Sequence, residues 1–382
     1  MRIAHLIETD GPGGAERVVA DLAANLQAAG TYNVVFLPAN GEGWLAQQLA
    51  GSGVAIEHFR LDAPLSPRCA REIATAFRRH QVEVAHSHEF SMAVYGAWAS
   101  WLAGVPHVIT MHGSRYYAGR LQRRAALRAA MAHAHQVVAV SHQLADRLSA
   151  DLLVRRSRIA MVSNGVRHEV ASRTTVRNEL GLGLDDRLLV AIGNLYPVKG
   201  HQVLIDALAM IAGRHPAVHL AIAGRGELAD ELTARARDLH LAERVHFLGL
   251  RSDVAAILAA ADVFVQPSLS EGLPLALLEA MFAGRAIVAS DVGEVGAALA
   301  HGDAGVLVPP GDVSALASAL DAVLTNPLRA RELGDRARRR ADAEYDVSHM
   351  VGRYAAIYER AVARSSRRVA RLSPSISRQG IT

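Results

Sequence analysis

Short runs of β-branched and aliphatic residues alternate along the chain with longer amphipathic or alanine-rich runs of helical period. In the first half the short runs are Ile3 to Ile7, Val34 to Leu37, Val54 to Phe59, Val82 to Ala85, Val108 to Met111, Val137 to Val140 and Ile159 to Val162. After Asn164 and Gly165 the series restarts with Leu188 to Ile192, Val218 to Ala223, Val245 to Leu248, Val263 to Gln266, Ile287 to Ala289 and Val306 to Val308. Apolar strands separated by helices predict parallel sheets covered on both faces. So many strands exceed one sheet. The pattern therefore predicts two α/β domains, over 1–168 and 169–345, whose strand ends face each other across a ligand cleft. A helix over 346–364 is expected to pack back on the first domain. The stretch 365–382, rich in arginine and without acid, reads as a disordered basic tail.

One helical run breaks the amphipathic pattern. GLPLALLEAMFAG, Gly272 to Gly284, is apolar on every side except for Glu279, with Glu271 eight positions earlier. Pro274 suits a first helical position and Gly284 the residue past the end. A helix apolar all round is a buried one, so Glu279 is expected to point into protein and to require donors. Those donors are either a structural arginine or a polar ligand. The helix follows a strand and a turn rich in Ser, Gly and Pro, and ligands of open α/β sheets bind at that carboxyl edge, with phosphates on helix N-termini.

The remaining strand ends carry related turns. GPGGAE, Gly11 to Glu16, lies between the first strand and a helix expected from about Ala15 to Ala29. Gly13 and Gly14 let backbone approach a ligand, but the third glycine of G-x-G-x-x-G is missing, against a dinucleotide fingerprint. TMHGS sets His112 at a strand end. His86 and His88 share one side of a strand without a third ligand at metal spacing, so no metal site is expected. GNLYPVKGH, Gly193 to His201, holds Lys199, the only lysine among 41 cationic residues, either a solvated loop residue or a cation for a diphosphate. AGRGEL repeats the strand, glycine turn and helix arrangement with Gly224 and Arg225.

Composition narrows the classes. A net charge of +4 without zinc-finger spacing, RNP-like aromatics or a basic zipper gives no nucleic-acid signature. One cysteine, Cys69, excludes an internal disulfide framework. The first residues are strand-like rather than a signal peptide, and no apolar run approaches the ~20 residues that span a bilayer. A cytoplasmic protein is expected, peripheral on the inner face of the membrane if it meets one.

SEGLPLALLEAMFAGRAIVASDVG, together with the GGAE loop, His112 and the Lys199 loop, resembles the family 4 glycosyltransferases and their E-x7-E signature, over nearly the whole chain. The resemblance implies the GT-B fold, two Rossmann-like domains, with the second holding a UDP- or GDP-sugar donor. It implies that Glu271 touches donor-sugar hydroxyls, Glu279 the ribose, Lys199 the diphosphate, and Gly14 the donor phosphate. Gly272 and Leu273 would offer amides, His112 would stand near the reacting centre, and the Arg251 to Val254 region near the base. His112, Glu271 and Lys199 are thus the candidate catalytic residues, and Gly13, Gly14, Asn194, Lys199, Gly224, Arg225, Glu271, Gly272, Leu273 and Glu279 the candidate donor-binding ones. The family often has Arg where this chain has Asn194, which removes one diphosphate cation unless Arg225 substitutes.

The resemblance implies transfer with retention to a hydroxyl of a glycan or lipid-linked intermediate of cell-surface polysaccharide synthesis. No D-x-D triplet occurs, and lysine with helix N-termini offsets leaving-group charge without metal or cofactor. Arg120, Arg123, Arg124 and Arg128, in an acid-free helical stretch, are either a solvated face or a contact for an anionic membrane. Two alternatives stay open: a nucleotide-sugar epimerase, and a nonenzymatic donor-binding subunit of a transferase, motivated by Asn194. A nicotinamide dehydrogenase fits poorly, lacking the third glycine and a ribose-binding acid after the second strand.

Overall fold

The computed structural model describes residues 1–41, 43–61, 66–113, 117 and 120–372. The chain forms two compact units: Met1–Ser163 together with Ser348–Thr382, and Asn164–Val347.

The first unit is built on a parallel sheet of seven strands: β1 (Arg2–Leu6), β2 (Tyr32–Pro38), β3 (Ala55–Phe59), β4 (Val84–His88), β5 (His107–Met111), β6 (Gln136–Ala139) and β7 (Ile159–Met161). Their order is β3-β2-β1-β4-β5-β6-β7. The chain winds outward from β1, crosses back to β4, and winds the other way, so the direction reverses between β1 and β4. Both faces of the sheet are covered. Leu6, Phe36 and Phe77 lie in one apolar cluster, while Ile7, Val19 and Leu37 lie in another. That explains why these strands read as continuous apolar runs. The helix Glu89–Ala103 ends at Gly104, whose φ of 72° suits a residue without Cβ.

The last helix, Val347–Leu372, lies with the first unit from Ser348 onward. It is held there by Tyr354 and Tyr358, one turn apart. The Tyr354 hydroxyl lies 3.1 Å from Thr110 Oγ1, and the Tyr358 hydroxyl 2.7 Å from His86 Nδ1. The helix continues past 364 to Leu372, so the tail expected from 365 is helical there. Arginine, alanine and leucine are strong helix formers, and RSSRRVARL extends a helix already nucleated by packing. The rest of that expected tail, 373–382, lies outside the described residues.

The second unit carries six parallel strands: β8 (Arg187–Ile192), β9 (Val218–Ala223), β10 (Val245–Gly249), β11 (Val263–Gln266), β12 (Ala286–Ser290) and β13 (Val306–Val308). The order β10-β9-β8-β11-β12-β13 reverses between β8 and β11. The segments by which the chain enters and leaves this unit pair with each other. Val166 N–H donates to the Tyr345 carbonyl and Val347 N–H to the Val166 carbonyl, at 3.0 and 3.1 Å. Among the described residues no helix is long and apolar enough to cross a membrane.

Candidate active site

In the second unit the loops at the carboxyl ends of the central strands pack backbone against backbone, and glycine makes this possible. Gly200 has a φ of 66°, and a Cβ there would lie 2.0 Å from the Pro267 carbonyl oxygen, so the loop after β8 locks onto the loop after β11. Leu269 N–H donates to the Val198 carbonyl at 2.8 Å across the same seam. Gly224 meets the Gly193 carbonyl in the same manner, at 2.0 Å from its would-be Cβ. A side chain at either position needs the backbone itself to move.

This seam brings Lys199 to Glu271 at the reversal of the sheet, where ligands of such sheets bind. Lys199 closes a single helical turn, Pro197–Lys199, before the helix His201–Ile211. Its Nζ lies 2.7 Å from Glu271 Oε1. The same oxygen accepts from Ser268 Oγ at 2.7 Å and from Gln266 Nε2 at 3.2 Å, and Gln266 Nε2 also donates to Ser268 Oγ. The Glu271 side chain is 10% exposed and that of Lys199 25%. Three donors converging on one carboxylate oxygen fix its orientation. Gln266 and Ser268 were not singled out in the sequence. The signal was a glutamine closing the apolar run VFVQ.

Glu279 stands differently from expectation. The helix runs Leu275–Phe282 with Pro274 at the capping position before it, and Glu279 is half-buried. Leu275, Ala276, Glu279 and Ala283, spaced by three or four residues, share a half-buried stripe, while Leu277, Leu278, Ala280, Met281 and Phe282 are buried. An all-apolar sequence made the helix look sealed, but small residues on one stripe leave a polar side chain room to be reached. Glu279 is not the embedded carboxylate the sequence suggested.

Of the other expected donor-side residues, Asn194 is half-buried and Arg225 exposed. The Arg225 carbonyl accepts the Leu195 N–H at 2.9 Å, which seats Arg225 beside the loop that carries Asn194. Gly272 accepts from Glu294 N–H at 2.9 Å, and the Leu273 carbonyl from Asn164 Nδ2 at 3.3 Å. Arg251 is gripped by Asp253 and Glu179, with contacts of 2.6–3.0 Å.

In the first unit the helix Gly14–Ala28 starts after Gly13, whose φ of −139° any residue adopts. What limits Gly13 is the Glu16 carboxylate, folded back so that a Cβ would lie 2.3 Å from its Oε2. A glutamate at the third helical position reaching back in this way resembles half of a capping box.

His112 follows β5. Its Nε2 lies 3.1 Å from His88 Nδ1, and its backbone N–H donates to Glu89 Oε1 at 3.0 Å. Burial pushes the His112 imidazole down to about 4, so it is neutral at pH 7. Behind it lie further histidines. The register of β1 against β4 pairs His5 with His86. His5, His86 and His88 are fully buried, and their ligand atoms lie within 4.8 Å of one another. The third histidine not foreseen from spacing along β4 therefore comes from the neighbouring strand. Burial first, and then neighbouring imidazoles, hold His86 and His88 well below the usual histidine range. Both His86 nitrogens are occupied, Nε2 by Thr110 Oγ1 at 2.7 Å and Nδ1 by Tyr358. The layer is thereby a hydrogen-bonded seat for the last helix. His5 Nδ1 and His88 Nε2 have no partner among the described residues.

Comparison with known proteins places these features in context. Residues 12–170 match the family described as Glycosyltransferase Family 4, and residues 172–340 the family described as Glycosyl transferases group 1. A phosphatidyl-myo-inositol mannosyltransferase of Mycobacterium leprae is 32% identical, covering 92% of this chain and 94% of its own. An alpha-maltose-1-phosphate synthase of Mycolicibacterium smegmatis is 30% identical over 94% of this chain and 99% of its own. Among solved structures, Anabaena Alr3699/HepE in complex with UDP-glucose is similar in fold, with a TM-score of 0.81 and 24% identity, covering 96% of this chain and 100% of that one.

Proposed function

We propose a specific reaction from a settled premise: the chain belongs to the family 4 glycosyltransferases. It is a glycosyltransferase of the GT-B fold. The reaction proposed is transfer of a sugar, with retention, from a UDP- or GDP-sugar held by the second unit to a hydroxyl of a glycan or lipid-linked acceptor taken by the first.

The observation that carries this reading is the Lys199–Glu271 pair at the β8/β11 reversal, 2.7 Å apart. An ammonium beside the start of a helix suits a diphosphate, and a carboxylate oriented by three donors suits sugar hydroxyls. Donor entry exchanges one pairing for two, with Lys199 moving to the diphosphate and Glu271 to the sugar. Glu279, on the half-buried stripe of its helix, takes the ribose, while Gly272 and Leu273 present amides, Gly224 and Arg225 flank the diphosphate beside Asn194, and Gly13 and Gly14 adjoin the donor phosphate. His112, neutral, stands at the reacting centre. Glu271 already accepts three hydrogen bonds, which suits a binding group better than a nucleophile, so same-face transfer without a covalent sugar intermediate is the mechanism proposed. No metal or cofactor takes part, and turnover should survive EDTA.

The acceptor proposal draws on the mannosyltransferase relative, named for phosphatidyl-myo-inositol, and on one surface of the first unit. Trp101 and Leu121 are 72% and 81% exposed, and Arg120 and Arg128 are exposed as well, a pattern suited to peripheral contact with the inner, anionic leaflet from the cytoplasm. Arg124 is turned inward to the Asp151 carbonyl, and Arg123 stacks over Phe90 at 5.6 Å.

The test is incubation with a panel of UDP- and GDP-sugars, with and without lipid and glycan acceptors. Acceptor-dependent nucleotide release is the expected result. Conversion of free donor would point instead to an epimerase, and binding without turnover to a donor-binding subunit. Flotation with anionic vesicles at low salt tests the membrane contact, and a protein left at the bottom of the gradient removes it.

A further inference from the structure

Glu89, which accepts the His112 N–H, has no part in the reaction proposed above. Glu89 opens the helix Glu89–Ala103 directly after β4, at the reversal between β1 and β4, with a φ of 64°. A side chain in the left-handed region is strained by about 1–2 kcal/mol, and such residues persist where the surroundings over-determine them. One carboxylate oxygen accepts the His112 backbone N–H and so ties the end of β4 to the end of β5. The other, Oε2, is buried without a partner among the described residues. Burial first, and then Glu16 and Glu8, push this carboxyl up to about 7, against the His112 hydrogen bond that lowers it. A carboxyl serving only as a tether needs one oxygen and no charge. A glutamine would provide the same hydrogen bond without the desolvation penalty or the opposition of two nearby acids.

We propose that Glu89 is an acceptor-binding residue, its Oε2 receiving a hydrogen bond from a hydroxyl of the sugar or polyol that is to be glycosylated, beside His112. Its neighbours sharpen the class. With Glu16 and Glu8 acting on it, the Glu89 carboxylate disfavours a phosphate as its own partner and suits a neutral, hydroxyl-rich group, so a lipid-linked acceptor presents its sugar or polyol to Glu89 and its phosphate elsewhere. The inference deepens the proposed function and rests on it.

The experiment is ligand-observed NMR with UDP saturating, on the wild type and on Glu89→Gln, using glucose, mannose, galactose, N-acetylglucosamine and myo-inositol as probes. Titration of UDP comes first. A wild type that binds no UDP sinks the donor reading, and the five probes are then compared without nucleotide. Glu89→Gln should bind UDP within about twofold of wild type, because the hydrogen bond to His112 survives. Its Tm should rise, because a neutral amide carries no charge to desolvate. At least one probe should bind the wild type and bind Glu89→Gln at least about tenfold more weakly, as loss of one charge-assisted hydrogen bond implies. If every probe that binds the wild type binds Glu89→Gln equally well, or none binds the wild type, Glu89 is a tether and the proposal is overturned.

Discussion

The two sheet reversals of this molecule are built alike and finished differently. At β8/β11 the charges are matched: Lys199, Ser268 and Gln266 all converge on Glu271. At β1/β4 the histidines are buried and neutral, the Glu89 carboxyl is raised to about 7, and His5 Nδ1, His88 Nε2 and Glu89 Oε2 have no partner among the described residues. On the proposed function, the first arrangement stores the cation and carboxylate for a charged donor as a pair that a ligand re-sorts, and the second, with less charge and unsatisfied polar atoms, suits a neutral acceptor. The histidine layer behind it makes the first unit the one sensitive to acid.

Acid should separate the two units most strongly. His5, held near 4 by burial, and His86, His88 and His107, also lowered mainly by burial, are neutral in the folded first unit. The unfolded chain takes up their protons first as pH falls through 6.5. Their stabilisation is therefore complete above 6.5 and lost on the way down to about 4, at about 1.4 kcal/mol per pH unit for each histidine. Glu89, whose folded value is raised to about 7, works in the opposite sense and offsets about one of them over part of this range. In the second unit only His201 is comparably buried and lowered, to about 4. Hydrogen exchange followed from pH 7 to pH 4.5 should show protection lost first in β1, β4 and β5. Earlier loss in β8 and β11 would reverse the comparison.

Removing the cation of the matched site comes next in size. Lys199→Ala should lower kcat by about 10²–10³, the usual effect of deleting one preorganised group that stabilises developing negative charge. Nucleotide release under saturating donor measures it, and a change below tenfold would leave Lys199 as a structural partner of Glu271 only.

Glycine substitutions then contrast the two loops. Gly200→Ala forces a Cβ onto the Pro267 carbonyl at a positive φ and should cost about 3 kcal/mol. Gly13→Ala meets only the far end of the Glu16 side chain and should cost about 1 kcal/mol, mainly as a poorer helix cap. Denaturant midpoints for the two variants give the ranking, and equal losses would mean that the backbone seam is not special. Tyr358→Phe, which strips the hydroxyl from His86 Nδ1, should cost about 1–2 kcal/mol, between the two glycine variants and confined to the first unit.

The same contrast explains what could be read from the sequence. All thirteen strands among the described residues lie within a few residues of their apolar runs, because parallel strands buried on both faces announce themselves by composition. Lys199 and Glu271 were legible because each belongs to a local turn at a strand end. The degree of burial of Glu279 was not, since leucine and alanine look the same whether they face a core or a space that a ligand enters. His5 could be joined to His86 only through the register of β1 on β4, which nothing along β4 specifies. Glu89 looks in the sequence like an ordinary acid at a helix start, and its left-handed backbone and unmatched oxygen are tertiary facts. The helical stretch to Leu372 was hidden because an acid-free run of arginines resembles a tail until Tyr354 and Tyr358 are seen to anchor the helix that leads into it.

The central claim is that the Lys199–Glu271 pair opens to receive a nucleotide sugar, and a crystal structure of the protein soaked with UDP-glucose or GDP-mannose tests it most directly. Lys199 Nζ is expected on a diphosphate oxygen, Glu271 on hydroxyls of the transferred sugar, and Glu279 on the ribose. A nucleotide bound elsewhere, with Lys199 and Glu271 still 2.7 Å apart, would contradict it.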